Sequence, residues 1–350
     1  MIYVNARFLT QPVTGVQRFA IELLKKLLEK RQDIILLVPS CQIFNKDLFN
    51  KYDCIEVIEG GNGHYWEQIT LPGFLRSKGS PLLLNLCNTA PVFYDNKIST
   101  IHDITFLRYP ESYSLKFRLF YKLLIPSIIR SSKKIITVSE FSKKDLCSMY
   151  NLDPKDISVV YNAVSEIFVS KESKESKESY ALAVSSPNKH KNFSRMIDAF
   201  LQSNASLNLK IIGTLSNSFN NSEIEKYKNP RIHFLGRVSD DELVTLYQNA
   251  NFFIFPSLYE GFGIPPLEAQ ACGCSVISSN AASLPEVLNN SALFFNPTDT
   301  NDIRHAIERI SSDRALQKNL VIQGNKNLER FSWNKSAIHL NDIIENVITK

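Results

Sequence analysis

The sequence predicts an α/β protein made of two successive doubly wound units. Short apolar runs rich in Ile, Leu, Val and Phe alternate with stretches of helical periodicity along the chain, the pattern of parallel sheets with crossover helices. The length of 350 residues corresponds to about two domains at roughly 150 residues each. With 44% hydrophobic and 21% charged residues, apolar material suffices for two packed cores, which excludes global disorder.

In the first half, strands are expected near 2–5 (IYVN), 34–38 (IILLV), 82–87 (LLLNLC), 99–102 (STIH), 135–138 (IITV) and 158–161 (SVVY). The rhythm repeats near 181–184, 209–212, 232–235, 252–255 and 276–278, and helices are expected over 16–30, 141–150, 193–202, 240–248 and 266–272. Between the halves, SKESKESKES at 170–179 is a threefold Lys-Glu-Ser repeat with no apolar residue to bury, so it reads as a solvated connector. The expected division is a first domain at 1–165, a linker at 166–180, a second domain at 181–331 and a terminal helix at 332–350. In that helix Trp333, Ala337, Leu340, Ile343, Ile344 and Val347 fall at helical spacing, as a segment crossing back onto the first domain requires.

No uninterrupted apolar run approaches the ~20 residues of a membrane-spanning helix. The opening MIYVNARFL lacks the basic head, apolar block and cleavage site of a signal peptide. Six scattered cysteines show no Cys-x-x-Cys and no His at metal-ligand spacing, and read as free thiols in a reducing compartment. The expectation is a soluble, cytoplasmic protein.

Net charge is +5, and the excess is confined to the first half: residues 1–165 carry 21 Lys+Arg against 15 Asp+Glu, residues 166–350 carry 19 against 20. Residues 114–134 (SLKFRLFYKLLIPSIIRSSKK) hold six basic side chains and no acidic one. Two readings stand: an amphipathic surface helix packed on its own core, or a peripheral contact with the anionic inner face of the plasma membrane. Nucleic acid is not expected as a partner, because no recognised reader motif accompanies the charge.

The chemistry concentrates in NFFIFPSLYEGFGIPPLEAQACGCSVISSN, residues 251–280. A buried strand ends at Pro256-Ser257, a turn with Gly261 and Gly263 follows, and Pro265 and Pro266 open a helix. A helix start with orphan N–H groups favours an anion by ~0.3–1 kcal/mol when exposed and up to ~2 kcal/mol when partly buried. Gly263 removes a side chain that would hold a diphosphate away. Glu260 and Glu268 are either ordinary helix-start acids or acceptors for sugar hydroxyls, a hydrogen bond to a charged group being worth roughly 1.5–3 kcal/mol.

EGFGIPPLEAQACGCSVI, with Glu260 and Glu268 separated by seven residues, resembles the donor-site signature of glycosyltransferase family four, retaining nucleotide-sugar enzymes of the GT-B fold. Further stretches look like the same family: TGVQRFAIELLKKL (14–27), IHDITFLRYPE (101–111), ITVSEFSKKDL (136–146), KNFSRMIDAF (191–200), HFLGRVSDDEL (233–243) and FSWNKSA (331–337). The resemblance spans nearly the whole chain and thins around 40–60, 170–179 and 215–230. It implies two Rossmann-like domains facing across a cleft, with the C-terminal helix crossing back to the first.

By that resemblance, Lys191 neutralises the donor diphosphate, Glu260 holds the transferred sugar and Glu268 a ribose, with Gly261, Phe262, Gly263 and Ile264 forming the donor turn. His102 contacts the transferred sugar and helps stabilise charge near the reacting carbon, and Asp103 orients it or touches the acceptor. Gly15 brings the first helix toward donor phosphate, and Arg237 contacts nucleobase or phosphate. Where many relatives carry Arg before the Lys-Asn pair, this chain has His190, which is fully charged only when protonated. Trp66-Glu67-Gln68 and Asn88-Thr89-Ala90 resemble acceptor-side segments, although Trp66 reads equally as core.

The implied reaction moves a hexose, first mannose from GDP-mannose and then rhamnose, glucose or galactose, to a lipid-linked or polysaccharide acceptor of O-antigen or capsule synthesis. No Asp-x-Asp occurs, so no metal and no cofactor are expected. Rival readings are a glycosidase using Glu260 and Glu268 as its carboxylate pair, a sugar-nucleotide epimerase, and a non-catalytic sugar-nucleotide-binding subunit. A dinucleotide oxidoreductase is disfavoured, since no Gly-x-Gly-x-x-Gly follows a predicted strand.

Overall fold

The structure is a computed structural model that describes residues 1–41, 43–44, 49, 52–170, 178–184, 188–213 and 229–349. Most of the Lys-Glu-Ser repeat, residues 171–177, lies outside the described residues. Backbone contacts divide the chain into two compact units, one of residues 1–108, 113–162 and 333–350, the other of 109–112 and 163–332.

The first unit is a seven-stranded parallel sheet: β1 (Ile2–Asn5), β2 (Ile34–Pro39), β3 (Ile55–Ile58), β4 (Leu82–Asn85), β5 (Lys97–Thr100), β6 (Lys134–Thr137) and β7 (Ile157–Val159), in the order β3-β2-β1-β4-β5-β6-β7. β1 and β4 are buried along their whole length, which is why they read as near-continuous apolar runs rather than alternating ones. The order reverses between β1 and β4. Right-handed crossovers on the two sides of that point lie on opposite faces, leaving a crevice at the strands' carboxyl ends.

The second unit repeats the plan with β8 (Tyr180–Val184), β9 (Asn208–Ile212), β10 (Ile232–Gly236), β11 (Phe252–Phe255), β12 (Val276–Ser279) and β13 (Leu293–Phe295) in the order β10-β9-β8-β11-β12-β13. Its reversal falls between β8 and β11. A core of Phe200, Leu209, Phe252, Ile254, Ile277, Ile307 and their neighbours is packed under this sheet.

Two strand boundaries shift in ways that matter for the site. The expected strand at 99–102 runs instead over Lys97–Thr100, so His102 sits two residues beyond its strand. Lys97 begins it because the fully buried ammonium finds acceptors, donating to Tyr94 O at 2.5 Å, Ser131 O at 2.8 Å and Ser131 Oγ at 2.6 Å. The expected 82–87 strand ends at Asn85, whose side chain turns to Asn5. Strand β3 was not anticipated: its half-exposed Ile-Glu-Val-Ile pattern is that of a sheet edge, where alternation is weak. Trp66 is core, fully buried with Nε1 donating to Ile58 O at 3.1 Å.

The terminal helix Trp333–Ile348 belongs to the first unit. Its Trp333 ring meets Phe19 edge-on at 6.0 Å, Ser336 Oγ donates to Tyr161 O at 2.7 Å, and Arg31 binds Asn341 at 2.8 Å and Glu345. Leu340 at its centre is fully buried. Leu340→Ala should therefore destabilise the first unit by about 2–5 kcal/mol, read as a lowered denaturant midpoint with unchanged slope.

Candidate functional site

In the second unit, the carboxyl ends of β8 and β11 flank the strand-order reversal. Lys191 ends a short 3₁₀ turn, Lys189–Lys191, after β8. Glu260 stands in the loop after β11, and Lys191 Nζ donates to Glu260 Oε1 at 2.7 Å. The side chains are 17% and 13% exposed, so the pair is shielded enough to be worth roughly 1.5–3 kcal/mol, yet still meets solvent. An ammonium at such a place offers donors to phosphate oxygens, while the adjacent carboxylate offers acceptors to hydroxyls.

Asn192 fixes the height of Lys191. Its backbone is left-handed (φ +61°), a conformation Asn tolerates, and its Nδ2 donates to Pro256 O at 3.1 Å and Pro297 O at 2.7 Å. Arg195 closes the clasp through Asn192 Oδ1 at 2.8 Å. The loops after β8, β11 and β13 are thereby pinned together.

Gly263 caps the helix Ile264–Ala271 with φ +89°. A Cβ there would lie 2.7 Å from Leu284 Cδ2 and 3.9 Å from Glu260 Cγ, so both backbone angle and space demand glycine. The Ser283 hydroxyl lies 3.0 Å from the carbonyls of both Glu260 and Phe262 and holds the turn. Phe262 is buried with its ring edge-on to Phe331 at 5.4 Å, and Gly261 is buried beside it. No side chain caps this helix end. Pro265 and Pro266 lack N–H groups, so the donors here are those of Gly263 and Ile264, a narrower set than a helix start normally presents.

Glu268 lies on the same helix, buried, with Tyr247 donating to its Oε2 at 3.2 Å. Burial and the Glu268 charge push the Tyr247 hydroxyl well above its ordinary range, so it remains a donor that orients the carboxylate. His190 is buried: its Nδ1 lies 3.0 Å from Ser112 Oγ, its ring 6.1 Å from that of Tyr109, and its carbonyl accepts from Leu258 N–H at 2.7 Å. Lys189 beside it is exposed, as is Arg237, just past β10.

The remaining sequence-predicted residues lie in the first unit. His102 is buried, with Nε2 3.1 Å from Leu86 O. A carbonyl only accepts, so Nε2 carries the proton and Nδ1 keeps its lone pair. Burial pushes this imidazole below its ordinary pKa, against the Leu86 hydrogen bond and the Asp103 charge, so it is neutral at neutral pH. Asp103 does not orient the ring; its Oδ1 accepts from Thr105 N–H at 2.9 Å and Thr105 Oγ1 at 2.6 Å. Gly15 is exposed at the first turn of the helix Gly15–Leu28, where an added Cβ meets nothing within 4 Å.

Sequence reasoning missed Asn192, Ser283, Tyr247 and the assignment of 109–112 to the second unit. It also missed that Asn5 and Arg7, just after β1, gather around Glu67. The available signal was polar side chains at predicted strand ends, which open α/β sheets reserve for ligands. Among the described residues, no group of three His, Cys, Asp or Glu is placed to hold a metal ion.

Two family models match the chain: Glycosyl transferases group 1 over residues 164–327 and Glycosyltransferase Family 4 over residues 94–166. The chain is 33% identical over 250 residues to the O-antigen chain mannosyltransferase RfbU of Salmonella typhimurium, covering 70% of this chain and 69% of that one. It is 26% identical to the O-antigen chain mannosyltransferase B of Escherichia coli over 92% of this chain and 93% of that one. Among solved structures, Anabaena Alr3699/HepE in complex with UDP and glucose superposes with a TM-score of 0.77 at 15% identity over 99% of both chains. WaaG, a glycosyltransferase of lipopolysaccharide biosynthesis, gives 0.73 at 14% identity over 98% of this chain and 99% of that one.

The neutral His102 has a pH signature. The unfolded imidazole takes a proton near pH 6.5, whereas the folded one takes it only at lower pH. Its contribution to stability is complete above about pH 6.5 and is lost as pH falls through and below that value. Chemical denaturation of wild type and His102→Gln should show this slope only in wild type, and the His102 ring protons should titrate with a midpoint below 6.5.

Proposed function

The chain belongs to glycosyltransferase family four and is a glycosyltransferase; on that premise we propose that it transfers mannose from GDP-mannose, with retention, to a lipid-linked or polysaccharide acceptor in cell-surface polysaccharide synthesis. The observation that carries the reading is the Lys191–Glu260 pair at the strand-order reversal, beside a glycine-opened helix start. It unites in one place a cation for the diphosphate and a carboxylate for sugar hydroxyls. The choice of mannose rests on the names of the O-antigen relatives.

In the proposed reaction the bond between the anomeric carbon and the diphosphate oxygen breaks, and the acceptor oxygen bonds to that carbon on the same face. The acceptor proton passes to the departing phosphate oxygen, so no separate base is required. Lys191 and the N–H groups of Gly263 and Ile264 meet the leaving-group charge, with no Asp-x-Asp metal clamp in the sequence. Glu268, oriented by Tyr247, receives a ribose hydroxyl. Incubating the protein with a panel of nucleotide sugars and an alkyl mannoside should yield GDP and a new α-glycoside from GDP-mannose alone. Free mannose without glycoside would instead indicate hydrolysis, and an isomerised donor an epimerase.

Partner substitutions should separate. Lys191→Ala should raise the donor dissociation constant about tenfold or more and cut turnover. Glu260→Gln should cut turnover while leaving GDP affinity equal or tighter, because it releases Lys191 from its counter-ion. Calorimetry with GDP and steady-state assays check both.

The same reading places the protein against an anionic membrane through the helix Leu115–Arg130. Its Leu124, Ile125, Ile128 and Ile129 are core, while Leu115, Leu119 and Leu123 are 64%, 57% and 76% exposed one turn apart. Lys116 and Lys122 flank this apolar row in the open and Arg118 half-buried, with no acid on the helix. Among the described residues no helix is long and apolar enough to cross a membrane. Each basic side chain near an anionic surface contributes about 1 kcal/mol, so replacing Lys116, Arg118 and Lys122 by Gln should sharply reduce liposome co-sedimentation at low salt. Replacing Leu119 and Leu123 by Ser should remove the salt-resistant remainder.

A further inference from the structure

Four residues from the first half of the sequence, Tyr109-Pro110-Glu111-Ser112, belong to the second unit, although the helices on either side, Thr105–Arg108 and Leu115–Arg130, belong to the first. Pro110 fixes its own φ, and Ser112 N–H donates to Tyr109 O at 3.0 Å, closing a single 3₁₀ turn over Pro110–Ser112. With three residues per turn, side chains at i and i+3 stand one above the other, so Tyr109 and Ser112 face the same way.

Both reach His190. Ser112 Oγ lies 3.0 Å from Nδ1 of that buried ring, the His190 backbone N–H points at the same oxygen at 3.5 Å, and the Tyr109 ring stands 6.1 Å from the imidazole. The Tyr109 ring also stands 5.9 Å from the buried ring of Tyr259. His190 immediately precedes Lys191, and Tyr259 immediately precedes Glu260. The turn therefore touches the residue before each member of the ion pair.

The pair is demanding in geometry. Lys191 Nζ and Glu260 Oε1 meet at 2.7 Å from loops 69 positions apart, and a hydrogen bond weakens steeply as its angle departs from linear. Asn192 holds the carboxyl side of Lys191 through Pro256 O and Pro297 O. On the amino side, His190 is held by Leu258 N–H, which donates to its carbonyl at 2.7 Å, and by the 109–112 turn. A buried ring pinned at Nδ1 fixes its own backbone, and through it the origin of the Lys191 side chain.

We propose that Tyr109 and Ser112 are positioning residues for the donor site: they set Lys191 against Glu260 without touching substrate. The inference rests on the reading of that pair as the contacts for donor diphosphate and sugar. It makes donor binding depend on a turn encoded 78 positions before His190.

The test is a double-mutant cycle on the full chain, read by calorimetry with GDP and by steady-state turnover of GDP-mannose. Ser112→Ala should weaken GDP about fivefold and lower turnover, and Ser112→Thr, which keeps the hydroxyl, should restore both. Tyr109→Leu should weaken GDP by a similar factor and Tyr109→Phe restore it, because the ring makes the contacts. In a Lys191→Ala background, Ser112→Ala should change GDP affinity less than about twofold, since the group it positions is gone. A folded Ser112→Ala protein with wild-type GDP affinity and only a lowered unfolding midpoint would mean a structural role alone and overturn the proposal, as would an equal loss in both backgrounds. Should Tyr109→Leu fail to fold, the Ser112 cycle decides. Failure of the donor-site reading shows separately, as wild-type GDP affinity in Lys191→Ala, and takes the inference with it.

Discussion

A parallel sheet whose strand order reverses leaves two neighbouring strands whose chains depart to opposite faces, and nothing in the backbone closes the gap between their carboxyl ends. Both units of this protein place an ion pair near that point. Lys191 and Glu260 meet past the ends of β8 and β11; in the first unit Asn5, ending β1, donates to Asn85, ending β4, and to Glu67, which pairs with Arg7. Each pair is shielded enough for its charges to matter, and each presents polar atoms where the sheet leaves room for a ligand.

The two pairs differ in what they leave open. In the second unit the cation and carboxylate stand beside a helix end stripped of two N–H groups by consecutive prolines, so positive charge is focused on a short arc near Gly263. In the first unit Arg7 is committed to Glu67 and to Thr89. The neutral imidazole of His102, with its proton fixed toward Leu86, adds polarity to that unit without adding charge.

Left-handed residues hold the loops that carry these groups. Gly263 and Asn192 adopt positive φ where the chain must turn sharply between a strand end and a helix, and each is locked by contacts from elsewhere in its unit. The cost of such conformations is repaid by rigidity at the point where geometry matters most. The basic first half follows a different logic. Its excess charge lies largely on one helix whose inner face is core and whose outer face is an apolar row flanked by lysines.

Much of this was legible in the amino-acid order. Strand positions, the two-unit plan and the Glu260-to-Glu268 segment follow from local periodicity and from glycine and proline placement, because backbone preferences and burial on both sheet faces act residue by residue. Edge strand β3 escaped notice since a half-exposed strand carries little pattern. Only the tertiary structure decided which polar groups meet: Lys191 finds Glu260 across 69 positions, Asn5 finds Asn85 across 80, and Tyr247 reaches Glu268 through the core. The same holds for the neutral state of His102. Charge state and hydrogen-bond satisfaction depend on what packs around a side chain, and in a parallel sheet the neighbours of a strand end come from distant parts of the chain.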